Sequence, residues 1–137
     1  MTVKILMMLS AGIILLLGLM HLLFTFTGTK LTPREPALQE SMRTVSPVIS
    51  KETTMWKAWL GFNASHSLGA ILFGLIYGYL AFGHSAFLFE SYFLLIVGWG
   101  LLASFVVLGK LYWFDTPFLA ILIAFVCYCA AVLINFA

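Results

Sequence analysis

Apolar and polar positions fall into long blocks along this chain. An apolar run from Ile5 to Phe26 is followed by a polar stretch, Gly28 to Thr54. A second apolar run, Met55 to Phe82, carries one charge, Lys57, near its start, where a lysine can snorkel to an interface. A third run extends from Ser91 to Leu108 and a fourth from Pro117 to Phe136. Each reaches the about 17–25 residues that span a hydrocarbon layer. The pattern predicts an all-α protein, a four-transmembrane-helix bundle with helices over about 5–27, 55–82, 91–108 and 117–136. Residues 1–137 form one integral membrane domain in this reading. The first run is longer than a signal-peptide core of about 7–15 residues, and no small-residue cleavage site follows it.

The polar stretch predicts a short amphipathic helix in the first loop. Thr32-Pro33-Arg34-Glu35 reads as its start, with Thr32 as cap, Pro33 in the first position and Glu35 completing a capping box. The helix should run from about Pro33 to Arg43, place Leu38 and Met42 on one face, and lie on the membrane surface. Ser46-Pro47 should break it, and the second spanning helix can then begin near Ser50 or Lys51. Thr116 and Pro117 suggest cap and first position for the fourth helix.

Composition sharpens the picture. The chain is 63% hydrophobic and 9% charged, against about 25% charged in a soluble domain, so lipid is its natural solvent. A net charge of +2, scattered along the chain, excludes a nucleic-acid footprint. Cys127 and Cys129, two apart on a helix, fall on different faces and should not pair. Lys30, Arg34, Arg43, Lys51, Lys57 and Lys110 lie on one side of the spans, and Lys4 alone on the other. By the positive-inside rule both loops with basic residues are cytoplasmic and both termini outside. Trp56, Trp59 and Trp113 lie near the same boundary, as interfacial tryptophans do.

The second span is rich in small residues. Gly61, Ser65 and Gly69 form one row and Ala70, Gly74 and Gly78 another, and both are expected to pack against neighbouring helices. Between them runs a stripe of Trp59, Asn63, His66, Ala70, Phe73 and Tyr77, which should face the interior.

Two histidines lie inside spans, where ionisable side chains are rare and face a bundle interior. His21 lies roughly 10 Å from the cytoplasmic end of its helix and His66 roughly 13 Å past Lys57. The matched depths make a shared ligand-binding site of His21, Trp59, Asn63, His66 and Ser104 geometrically feasible. Several readings stay open: hydrogen-bonded packing glue, a pocket for a lipid, quinone or other lipophilic molecule, or two ligands of one haem iron. A zinc or other metal centre draws less support, since only two nitrogen ligands are visible and no Glu or Asp lies in the spans. His84, in a short external loop, should be solvated. No catalytic triad order, phosphate loop or HExxH pattern occurs.

The stretch KLTPREPAL, followed by ETTMWKAWLGFNASHSLGAILFGLIYGYLA, resembles a family of small bacterial four-helix membrane proteins. That resemblance implies the fold and a bacterial inner membrane, and brings no activity with it. In layout the chain is also similar to membrane-associated proteins of eicosanoid and glutathione metabolism. Those carry a Glu three residues after the Asn of their second helix, whereas His66 follows Asn63 here. The expectation is a protein that binds a lipophilic molecule or serves as a subunit of a membrane complex or homo-oligomer. An enzyme acting on a lipophilic substrate through intramembrane histidine is the alternative. The residues alone name no cofactor.

Overall fold

A computed structural model describes residues 1–137. It is all helical: α1 Thr2–Phe26, α2 Pro36–Thr44, α3 Met55–Gly83, α4 Ser85–Glu90, α5 Tyr92–Tyr112 and α6 Asp115–Phe136. Helices α1, α3, α5 and α6 are each long and apolar enough to cross a membrane.

The helix ends depart from expectation for identifiable reasons. Helix α2 starts at Pro36, not Pro33, because a residue before proline is driven out of the helical region. Glu35 accordingly sits at φ −94°, ψ 116° and makes no side-chain cap bond. The Thr32 hydroxyl caps nothing; it donates to the Thr29 carbonyl at 2.8 Å. No residue of α2 is buried. Helix α3 starts at Met55, not Ser50 or Lys51. The Thr54 hydroxyl accepts the Lys57 N–H at 3.3 Å and so caps it. Helix α6 starts two residues before Pro117. Proline thus takes the third helical position, where an N–H would have no intrahelical partner. Asp115 in that first turn suits the positive end of the helix dipole. Thr116 is inside the helix and is not its cap. Gly28, at φ 73°, takes the left-handed turn that closes α1, a conformation glycine adopts without steric cost. Helix α4 occupies what reads as a loop in the sequence, and buries Leu88 and Phe89.

The chain forms two compact units, one of residues 1–17 and 70–137, the other of residues 18–69. In the first, parts of all four long helices surround an apolar core that includes Met7, Ile14, Phe73, Leu88, Leu102, Ile121 and Tyr128. Helices α5 and α6 run antiparallel, with Gly98 against Tyr128 and Gly109 against Phe118. The two buried tyrosines satisfy their hydroxyls on α5 backbone: Tyr77 donates to the Leu94 carbonyl at 2.6 Å and Tyr128 to the Leu95 carbonyl at 2.9 Å. Phe73 stacks on Tyr77, with ring centroids 4.4 Å apart. The Ser10 hydroxyl is buried with no hydrogen-bond partner. Cys127 and Cys129 are both free thiols.

The small-residue rows behave differently. Gly74 faces α1 at Ala11 and Leu15, and a Cβ on Gly78 would contact Ala11 at 3.8 Å. Nothing lies within 4 Å of a Cβ on Gly61 or Gly69. Ser65 between them is exposed and donates to the Phe62 carbonyl of its own helix. Only the Ala70–Gly74–Gly78 row therefore packs within the chain. The Gly61–Ser65–Gly69 row, expected to do the same, is open, because the helix face it occupies has no neighbour there.

Candidate functional site

The second unit contains the end of α1, the 27–54 segment with α2, and the start of α3. The 3.6-residue repeat places Asn63, His66 and Ser67 around one side of α3, and His21 and Thr25 on one side of α1. Asn63, Ser67 and Thr25 are buried; His21 and His66 are half-buried. The imidazoles of His21 and His66 meet edge to face, with ring centroids 5.4 Å apart and an interplanar angle of 85°. His21 Nε2 lies 3.0 Å from Asn63 Oδ1.

The Asn63 amide determines which way this bond runs. Its Nδ2 donates to the Trp59 carbonyl at 2.8 Å. A carbonyl only accepts, so the nitrogen of the amide must be the atom that faces it. The oxygen is then the atom that faces His21, and His21 Nε2 must carry the proton. In a neutral ring the lone pair is left on Nδ1. The network therefore has a direction, from His21 Nε2–H to Asn63 Oδ1 and from Asn63 Nδ2–H to the Trp59 carbonyl. The surrounding hydroxyls turn back on their own helices. Thr25 donates to the His21 carbonyl at 2.8 Å and Ser67 to the Asn63 carbonyl at 2.8 Å.

Of the five residues singled out in the sequence, three meet side chain to side chain: His21, Asn63 and His66. Trp59 contributes its backbone carbonyl, while its indole N–H donates to the Leu31 carbonyl at 3.0 Å and ties the 27–54 segment to α3. Trp59 is 41% exposed. Ser104 belongs to the other unit, where its hydroxyl donates to the Gly100 carbonyl at 2.7 Å. Ser67 and Thr25 complete the polar patch. Ser67 went unnoticed in the sequence; its spacing of four from Asn63 is the signal that could have found it. His84 is exposed, as a loop histidine should be, and its Nε2 lies 3.0 Å from the Tyr79 hydroxyl.

Two cations rest on aromatic rings in the same unit. The Lys30 ammonium lies 3.9 Å from the Phe24 ring centre, and the Arg43 guanidinium 5.6 Å from that of Trp56. Such pairs suit a boundary between apolar and polar media, where each partner keeps its preferred surroundings.

No group of three or more His, Cys, Asp or Glu side chains comes together in the protein. Comparison with protein-family models, with curated proteins and with solved structures finds no match, so the residues themselves carry the functional reading.

Proposed function

We propose that this chain is a multi-pass protein of a bacterial cytoplasmic membrane that holds a lipophilic molecule at His21, Asn63 and His66. Its termini lie outside and residues 27–54 lie on the cytoplasmic side. The edge-to-face pair of half-buried imidazoles is the observation that carries this reading. The two imidazoles set against each other bring polar groups together in one place inside the spans, where ionisable side chains are rare. With Nε2–H committed to Asn63, His21 offers Nδ1 as an acceptor, which suits a ligand with a hydroxyl on an apolar body.

A second reading shares the same atoms. His21 can take up a proton at Nδ1 while its Nε2–H stays on Asn63. This is the arrangement of a positioned general base, so the alternative is an enzyme on a lipophilic hydroxyl substrate. A bis-histidine haem fits less well. Both rings would have to turn a nitrogen to one iron, whereas His21 Nε2 is bonded to Asn63 and the rings meet edge to face. A role as a subunit of a homo-oligomer or larger complex draws support from the open row at Gly61 and Gly69, since small residues let membrane helices approach closely.

The test is to purify the protein in mild detergent, extract it, and identify what it carries by mass spectrometry and absorption. A lipophile present in stoichiometric amount in the parent and lost in His66→Ala and His21→Ala is the expected result. Identical extracts from all three proteins would remove the binding reading.

A further inference from the structure

Residues 45–55 form a closed loop. The Met55 N–H donates to the Val45 carbonyl at 2.9 Å and joins its ends. At its tip the Ser50 N–H donates to the Pro47 carbonyl at 3.2 Å, making a tight turn with Val48 and Ile49 at its centre. Turns are enriched in Gly, Pro, Asn, Asp and Ser. Here two large aliphatic side chains stand at the centre, with relative exposures of 110% for Val48 and 92% for Ile49. The Ser50 hydroxyl accepts the Glu52 N–H at 3.1 Å and stiffens the turn further. A rigid loop that holds two aliphatic side chains entirely away from its own chain has an apolar surface to meet. The loop leads directly into α3, a helix long and apolar enough to cross a membrane, so the nearest such surface is the bilayer around that helix. The charges flanking the loop indicate which bilayer. Arg43 on Trp56 and the exposed Lys51 are basic, and Glu52 is the one acid in residues 45–55.

We infer that the Pro47–Ser50 turn is a membrane-inserting tip selective for anionic phospholipid. Val48 and Ile49 enter the boundary between headgroups and acyl chains, and Arg43 and Lys51 meet lipid phosphates. The inference rests on the reading of α3 as a membrane span. The tip would hold the 27–54 segment, tied to Trp59 through Leu31, against the leaflet from which a lipophile reaches His66.

The experiment uses the full chain with Cys127→Ala and Cys129→Ala, spin-labelled at one of three positions. It is reconstituted in phosphatidylcholine vesicles with or without phosphatidylglycerol. The readout is label accessibility to oxygen, which concentrates in hydrocarbon, and to a water-soluble nickel chelate. Ile49→Cys is expected to give a several-fold higher oxygen-to-nickel ratio than the α2 control Ser41→Cys. The ratio should rise when phosphatidylglycerol is present, and Arg43→Gln with Lys51→Gln should abolish that rise. Leu19→Cys, on the exposed face of α1, reports the span. If Leu19→Cys is lipid-buried while Ile49→Cys is as nickel-accessible as Ser41→Cys in both vesicles, the tip does not insert and the inference fails alone. Protection of Ile49→Cys in native membranes but not in pure lipid would assign the tip to a protein partner instead. If Leu19→Cys is itself nickel-accessible, the membrane reading falls and the inference with it.

Discussion

Gly74 faces Leu15 so closely that a Cβ on Gly74 would stand 2.5 Å from the Leu15 Cβ and 2.8 Å from the Ala11 carbonyl oxygen. Those obstacles are backbone or adjoin it, so no side-chain rotation relieves them. Gly74→Leu should therefore destabilise the protein by about 1–3 kcal/mol, the usual cost of overpacking. Gly69→Leu meets nothing within 4 Å and should melt like the parent. Thermal unfolding of both variants in detergent checks this; equal losses would mean that Gly69 is packed as well.

The contrast between Gly69 and Gly74 shows where the sequence stops speaking. Both glycines sit in small-residue rows, and periodicity marks both rows alike. Which row meets a neighbour depends on where α1 lies, and no property of α3 records that. The long helices were legible, because about 20 consecutive apolar residues have few soluble alternatives. Their ends were less so: Glu35 before Pro36 and Thr54 before Met55 act through backbone conformation and hydroxyl placement, which competing motifs one turn away imitate. The six residues of α4 are too few to show a helical period. Within the site, the His21 and His66 depths could be matched by counting residues. The part played by Trp59 could not, since it holds Asn63 through a carbonyl that every residue possesses.

The direction of the Asn63 network predicts the tautomer of His21. In protein labelled with nitrogen-15 at histidine, His21 should show a protonated Nε2 and an unprotonated Nδ1. Asn63→Leu removes the acceptor that fixes this choice, and the His21 signals should shift toward a mixture of tautomers. A protonated Nδ1 together with an unprotonated Nε2 in the parent would reverse the network and, with it, the ligand chemistry proposed above.

The asymmetry of basic residues sets the orientation to be tested. In a background of Cys127→Ala and Cys129→Ala, single cysteines are placed at Ser41→Cys in α2 and Ala86→Cys in α4, both exposed positions. A membrane-impermeant maleimide added to intact cells should label Ala86→Cys and spare Ser41→Cys until the membrane is opened. The opposite pattern would invert the protein.

Ser10 is wholly buried and its hydroxyl has no partner. Removing an unsatisfied buried hydroxyl relieves its desolvation cost and leaves no acceptor bereft. Ser10→Ala should therefore be neutral or stabilising, by up to about 1 kcal/mol. A clear drop in melting temperature would show that the hydroxyl has a partner after all, such as an ordered water.

Gly98 is the point at which α5 admits both buried tyrosines. A Cβ there would stand 2.5 Å from the Tyr128 hydroxyl oxygen and 2.7 Å from Tyr77 Cε1 and Cζ. Gly98→Ala should therefore cost about 1–3 kcal/mol through overpacking. Tyr128→Phe alone should cost about 1 kcal/mol, because it gives up the bond to the Leu95 carbonyl. Removing that hydroxyl also removes the nearest obstacle to the new methyl group. The double variant should then be more stable than the sum of the two losses allows, a coupling on the order of 0.5–3 kcal/mol for residues in direct contact. Tyr77→Phe keeps Cε1 and Cζ in place and should not relieve Gly98→Ala in the same way. Melting the four proteins of each cycle in one detergent measures both couplings. Strict additivity for Gly98 with Tyr128 would place the tyrosine hydroxyl away from α5.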